Sequence, residues 1–182
     1  MGRVSQAQAT QNRERIVSTA ARLFRERGVA GVSVADVMAE AGLTHGGFYK
    51  HFASKEALVA EAVARAFLDQ AEHLPDGRAA LIEQYLSAEH RDHPGQGCPS
   101  AGFGADVSRS SGDNGARSAY TKGVEGFATH LGAGGEPDLA ALSMMVGALM
   151  LARATAGTDL SDRVLAAAKA ALSPAEGPAG AA

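Results

Sequence analysis

What the chain has little of narrows the reading first. Cys98 is the single cysteine in 182 residues, which excludes an intrachain disulfide framework and fits a reducing compartment. No run of eighteen uninterrupted apolar residues occurs, so no membrane-spanning helix is expected. The opening MGRVSQAQATQNR lacks the apolar stretch of a secretion signal, and the expected compartment is the cytoplasm. Strand-like alternation and internal repeats are both missing. So are the phosphate loop, the nucleophile elbow, the HExxH pair and the dinucleotide fingerprint, which leaves no support for an enzyme, a cofactor or a catalytic metal.

What is present is the composition of a globular chain, 46% hydrophobic and 20% charged, long enough for one substantial core and a small appended domain. The net charge of −3 hides an asymmetry, because residues 1–55 carry eight Lys and Arg against four Asp and Glu, while the remainder carries nine against sixteen. A basic first third is the electrostatic footprint of a nucleic-acid module.

The stretch from Val32 to Lys55, VSVADVMAEAGLTHGGFYKHFASK, holds three successive helix starts. Ser33 stands three residues before Asp36 in a capping-box pattern, with Val32 and Val37 as its hydrophobic staple. Gly42 suits the left-handed conformation that ends a helix, and Thr44 then repeats the cap, with Leu43 and Phe48 as the second staple. Two short helices joined so tightly must cross steeply, the helix-turn-helix arrangement. Ser54 caps a third helix. Gly46 and Gly47 are odd inside a first helical turn, where each costs roughly 1 kcal/mol relative to alanine, and close approach of the backbone to a ligand is one compensating reason. Lys55 places a cation at the positive end of a helix dipole, a penalty that a bound phosphate would reverse.

Upstream, Ile16, Ala20, Leu23 and Phe24 recur at helical spacing from about Thr10, and Gly28 closes that helix. Three helices are expected to pack around Phe24, Val37, Met38, Phe48 and Phe52, with Arg13 and Arg15 as solvated surface. Downstream the pattern predicts helices over about 55–73, 78–90, 101–110, 116–131, 138–156 and 160–172, separated by Pro- and Gly-rich turns. The fold expected is therefore all-α with about nine helices.

The segments GLTHGGFYKHFASKEAL and VSVADVMAEAG resemble the DNA-binding domain of the TetR family of bacterial transcriptional repressors, the resemblance covering about residues 10–68. With the polar residues 1–9 expected to be a disordered arm and 173–182 a flexible tail, it implies a helix-turn-helix domain over 10–54 and a helical effector-binding and dimerisation domain over 55–172. It also implies a homodimeric repressor that binds a near-palindromic double-stranded operator. Carried over by position, Thr44, Tyr49, His51 and Lys55 hold phosphates, and Ser33 adds a contact through its capping hydroxyl. The segment from His45 onward faces base edges. Gly46 and Gly47 bring backbone but no reading side chain, so direct readout falls to His45 and Lys50, with DNA shape sharing the specificity.

A small-molecule or reactive-electrophile effector is expected to release the protein from DNA. Candidates for its site are Phe67, Leu86, Cys98, Phe103, Phe127 and Met144. Cys98 lies in a Gly- and Pro-rich segment close in sequence to His90, Arg91 and His93, and nearby positive charge would favour thiol reactivity. The helix over 138–156 is apolar on two faces, one with Leu139, Leu142, Val146 and Leu149, the other with Ala140, Met144, Gly147, Leu151 and Ala154, and so must be covered twice. The dimer seam is placed on Leu142, Val146 and Leu149 with Val164, Leu165 and Ala168 of the next helix. The competing reading is a thiol- or metal-dependent enzyme built on His90, His93 and Cys98.

Overall fold

The structure is a computed structural model that describes residues 6–110 and 115–173. The start of the expected arm, the centre of the loop after Ser110 and the expected tail beyond Ser173 lie outside the described residues.

All regular structure among the described residues is helical. The elements are α1 (Gln6–Arg27), α2 (Val34–Glu40), a 3₁₀ helix (His45–Lys50), α3 (Lys55–Glu72), α4 (Arg78–Tyr85), α5 (Ala88–Asp92), a short 3₁₀ turn (Pro94–Gln96), α6 (Pro99–Arg109), α7 (Gly115–Leu131), α8 (Leu139–Ala154) and α9 (Asp159–Leu172).

Three boundaries differ from the sequence reading. α1 begins at Gln6 rather than near Thr10, because its polar first turns bond along the helix: Gln8 donates to Asn12 at 3.1 Å and Thr10 to the carbonyl of Gln6 at 3.2 Å. The helix expected over 78–90 is two helices. Leu86 leaves helical geometry, and the Ser87 hydroxyl accepts from the His90 amide at 3.1 Å, starting α5 afresh. The second helix of the helix-turn-helix is a 3₁₀ helix, and Thr44 makes no side-chain cap. Its carbonyl instead accepts from Gly47 N at 2.9 Å, the tighter turn that two weak helix formers and a six-residue length allow.

The chain divides into two compact units. One joins the described residues up to His73 with His93–Phe127; the other joins Leu74–Asp92 with the described residues from Ala128 onward. In the first unit, Phe24 of α1 meets Val37, Met38, Phe48 and Phe52 in a buried cluster that continues into Leu58, Ala62 and Ala66 of α3 and Phe103 and Val107 of α6. Each fully buried aromatic or branched side chain here contributes about 1.5–3 kcal/mol. Small residues let α7 approach closely: a methyl added at Gly115 would lie 3.1 Å from Ala60, and one added at Gly104 would lie 2.9 Å from the Tyr120 hydroxyl. At Gly123 the ring of Phe67 already fills the space.

In the second unit, α8 and α9 pack on one another. Asp138 caps α8 by accepting from Ala141 N at 2.9 Å and pairs with Arg78 at 2.8 Å. The buried Ser161 hydroxyl donates to the Ala152 carbonyl at 2.8 Å and accepts from Arg91 at 2.9 Å, tying α9 to both α8 and α5.

The two apolar faces of α8 are real, and the structure corrects which is inward. Leu142 and Leu149, with Leu165 and Ala168 of α9, are buried inside the chain, while Val146 and Val164 are half-buried. The residues expected at a dimer seam are thus mostly consumed by the chain's own packing. The other face is uncovered: Ala140, Ser143, Met144, Met150, Leu151 and Ala154 are exposed, as is Leu160 at the start of α9.

The α2 start is the clearest local case of sequence dictating structure. Ser33 Oγ accepts from Asp36 N at 3.1 Å, and Asp36 Oδ2 accepts from Ser33 N at 2.8 Å and from the Ser33 hydroxyl at 2.6 Å. Those bonds hold the Asp36 carboxyl below its ordinary range, so this cap is present at neutral pH and is lost as pH falls through that lowered value. Replacing Ser33 by alanine is expected to cost about 1 kcal/mol of stability, read as a lowered midpoint in urea denaturation.

Candidate nucleic-acid interface

The site is assembled from the turn outward. Gly42 leaves α2 at φ +68°, its amide and that of Leu43 bonding back to the Ala39 and Met38 carbonyls at 3.0 and 2.8 Å, a Schellman ending that reverses the chain within two residues. The 3₁₀ helix follows at once. Phe48 enters the core fully and stacks on Phe52 with ring centroids 5.5 Å apart, so the residues around it are set by one buried anchor.

That anchor leaves Thr44, His45, Gly46 and Lys50 exposed and turns Tyr49 outward, 70% exposed, with its ring edge against Phe48 at 5.2 Å. Ser33 is exposed, and Gly47, His51 and Lys55 are half-buried. The nine residues expected to meet DNA thus include four exposed side chains and two glycines on a single short segment and its cap. At that exposure the Tyr49 hydroxyl can reach a partner outside the chain.

Gly46 and Gly47 can now be judged on space. A methyl at Gly46 would meet nothing within 4 Å, and one at Gly47 would make only ordinary contacts with Met38 and Thr44 at 3.7 and 3.8 Å. Neither has a positive φ. Nothing among the described residues requires glycine at either place.

Lys55 has an intramolecular partner that the sequence did not reveal: its ammonium donates to the Val29 carbonyl at 2.6 Å and lies 5.9 Å from the Phe24 ring centroid. An ammonium carries three donors, so this bond anchors the charge without exhausting it. Ser54 caps α3 by accepting from Ala57 N at 3.2 Å, as the sequence predicts. Arg13 is not the solvated side chain expected. It forms a two-pronged ion pair with Glu61 of α3 and stacks over Phe52 at 4.6 Å, bolting α1 to α3 behind the exposed segment. Partners 48 residues apart leave no trace in helical periodicity.

The effector candidates scatter. Phe67 and Phe103 belong to the core cluster, Leu86, Cys98 and Phe127 are buried, and Met144 is 42% exposed on the uncovered face of α8. Leu86 alone of the six lines an open groove of about 540 Å³, bordered also by Ser87, Ala88, Leu165, Ala166 and Ala170, with Asp162 and Lys169 at its rim. His90 is half-buried, its Nδ1 2.7 Å from the Tyr85 carbonyl, and desolvation lowers its pKa. Among the described residues no three His, Cys, Asp or Glu side chains are grouped as metal ligands.

Residues 16–62 match the model of the bacterial regulatory proteins of the tetR family. The match to the tetR family covers the helix-turn-helix segment of the chain. Among relatives, the HTH-type transcriptional repressor DhaR of Mycobacterium sp. is 31% identical over 103 residues, 53% of this chain and 52% of that protein. The repressor KstR2 of Mycobacterium tuberculosis is 42% identical over 69 residues, 38% of this chain and 34% of that protein. The HTH-type regulator YerO of Bacillus subtilis is 42% identical over 52 residues, 29% of this chain and 18% of that protein. These alignments span from under a fifth to about half of the relatives' length. Solved structures share the fold over most of the chain: reduced E. coli NemR with a TM-score of 0.69, 23% identity and coverage of 89% of this chain and 95% of that one, and a TetR-family regulator of Cytophaga hutchinsonii with 0.69, 19%, 94% and 96%. The similarity to the tetR family thus lies in the segment that carries the exposed row and its aromatic anchor.

If glycine at position 46 serves an approaching partner, substitution separates stability from binding. Gly46→Ala is expected to leave the fold intact and raise stability by up to about 1 kcal/mol, while weakening binding to duplex DNA. Thermal denaturation and fluorescence anisotropy on the same variant check both halves.

Proposed function

We propose that this protein is a homodimeric, sequence-specific transcriptional repressor of the TetR family acting in the cytoplasm. The observation that carries the reading is the 3₁₀ helix itself, with one face sunk in the core through Phe48 and the opposite face presenting Thr44, His45, Tyr49 and Lys50 beside two backbone-exposing glycines. Residues 10–54 are the DNA-reading part of the chain, and 55–172 serve dimerisation and control. In this reading Tyr49, His51, Thr44 and Lys55 hold phosphates, Ser33 adds a contact, and His45 and Lys50 reach guanine acceptors in the major groove. The relatives named as repressors support it, as does the basic balance of the first 55 residues.

The uncovered face of α8 supports dimerisation. A helix face made of Ala140, Met144, Leu151 and Ala154 with Leu160 beside it carries no charge and sets large apolar side chains between alanines, which suits a two-fold contact between identical helices. The seam is therefore proposed on this face rather than on Leu142 and Leu149. Two subunits so joined would offer two copies of the 3₁₀ helix to successive turns of a near-palindromic operator. A small-molecule or electrophilic effector acting on the part after residue 55, with Cys98 as one candidate target, would release the operator.

Selection of bound duplexes from a random-sequence pool by the purified protein tests the core of the proposal. A near-palindromic consensus is expected, bound with an affinity that falls steeply as salt rises; failure to retain any duplex at low salt would end the reading. Tyr49→Ala is expected to weaken binding to the recovered duplex roughly tenfold with the fold unchanged, in line with loss of one charge-assisted contact. Leu151→Asp is expected to convert the dimer to monomer on a sizing column, and an intact dimer would place the seam elsewhere.

A further inference from the structure

The loop leaving α1 is held from two sides at one residue. Gly28, at φ +73°, bonds back to the Phe24 carbonyl at 2.9 Å and delivers the chain to Val29. The Val29 amide donates to Asp106 Oδ2 of α6 at 3.2 Å, and the Val29 carbonyl accepts from Lys55 Nζ of α3 at 2.6 Å. Asp106 is largely shielded, its side chain 16% exposed, with Arg109 at 3.5 Å from its other oxygen. Nearby, Arg25 of α1 donates twice to the Gly95 carbonyl just ahead of α6, at 2.9 and 2.5 Å, so the end of α1 is pinned to the α6 region by a second, separate contact.

We propose that Asp106 is a positioning residue for DNA binding, acting through the backbone of Val29 to fix where Lys55 holds its charge. The inference rests on the reading of Lys55 as a phosphate contact. With one donor spent on the Val29 carbonyl, the ammonium is fastened at the N-terminus of α3, and its remaining donors point from a fixed place. That place is only as fixed as Val29, whose φ and ψ are over-determined because both its amide and its carbonyl are held by different helices. A shift of α6 would loosen Val29, and Lys55 would lose its anchor and with it the preorganisation that makes a phosphate contact worth its ordering entropy. The bond needs an acceptor at position 106, not a charge, which gives the test its contrast.

Asp106→Ala, Asp106→Asn, Lys55→Ala and the double variant Asp106→Ala with Lys55→Ala would be compared by anisotropy on the duplex recovered by the wild-type protein. Amide hydrogen exchange across residues 28–34 in the free proteins is the second readout. Asp106→Ala is expected to weaken binding roughly tenfold and to speed exchange at Val29, Asp106→Asn to restore both because its side-chain carbonyl still accepts, and the double variant to bind no more weakly than Lys55→Ala alone. Wild-type affinity in Lys55→Ala would refute the phosphate contact and, with it, the proposal. A weakened Lys55→Ala beside an unaffected Asp106→Ala would overturn the positioning role alone, as would additive losses in the double variant or unchanged exchange at Val29. Should Asp106→Ala fold poorly, Asp106→Leu, which keeps the side-chain size but accepts no hydrogen bond, takes its place, and wild-type affinity in that variant beside a weakened Lys55→Ala would overturn the positioning role.

Discussion

The exposed segment depends on the burial of two phenylalanines. Phe48 and Phe52 stack against each other beneath α1, and everything that faces outward from His45 to Lys50 takes its position from that contact. A six-residue 3₁₀ helix with two glycines has no intrinsic stability of its own in water, because too few hydrogen bonds repay the ordering of its backbone. Tertiary packing supplies what propensity does not. The Arg13 pair with Glu61 closes the same region from behind, laying its guanidinium over Phe52 and joining the helices on either side.

What the sequence made legible was local. The Ser33 and Asp36 box, the Ser54 cap and the Gly42 ending all involve groups within a few residues of one another, so spacing alone specifies them. Thr44 shows the limit: the same residue type stands at the same kind of position, yet a neighbouring pair of glycines favours the tighter turn and the hydroxyl goes unused as a cap. The split at Leu86 was invisible because Ser87 reads equally well as an interior residue or as a fresh start.

Contacts across long separations left no signal. Asp106 meets Val29 at a separation of 77 residues and Arg25 meets Gly95 at 70, and neither partner advertises itself by pattern. α8 shows an intermediate case. Its two apolar faces were visible from periodicity, but which one turns inward depends on the shape of α9 and its neighbours, and both faces carry similar residues. Ser161, reaching the Ala152 carbonyl, fixes the choice by seating α9 on one side.

The glycines of α6 and α7 carry a further implication. With Gly123 of α7 pressed onto Phe67 of α3 and Gly104 of α6 beneath the Tyr120 hydroxyl of α7, α7 stands close against both neighbouring helices. A molecule entering between them must first part the helices, so its apparent affinity is reduced by the rarity of the opened form. Its arrival would be governed by how often that opening occurs, making entry slow and only weakly dependent on concentration once the molecule is abundant.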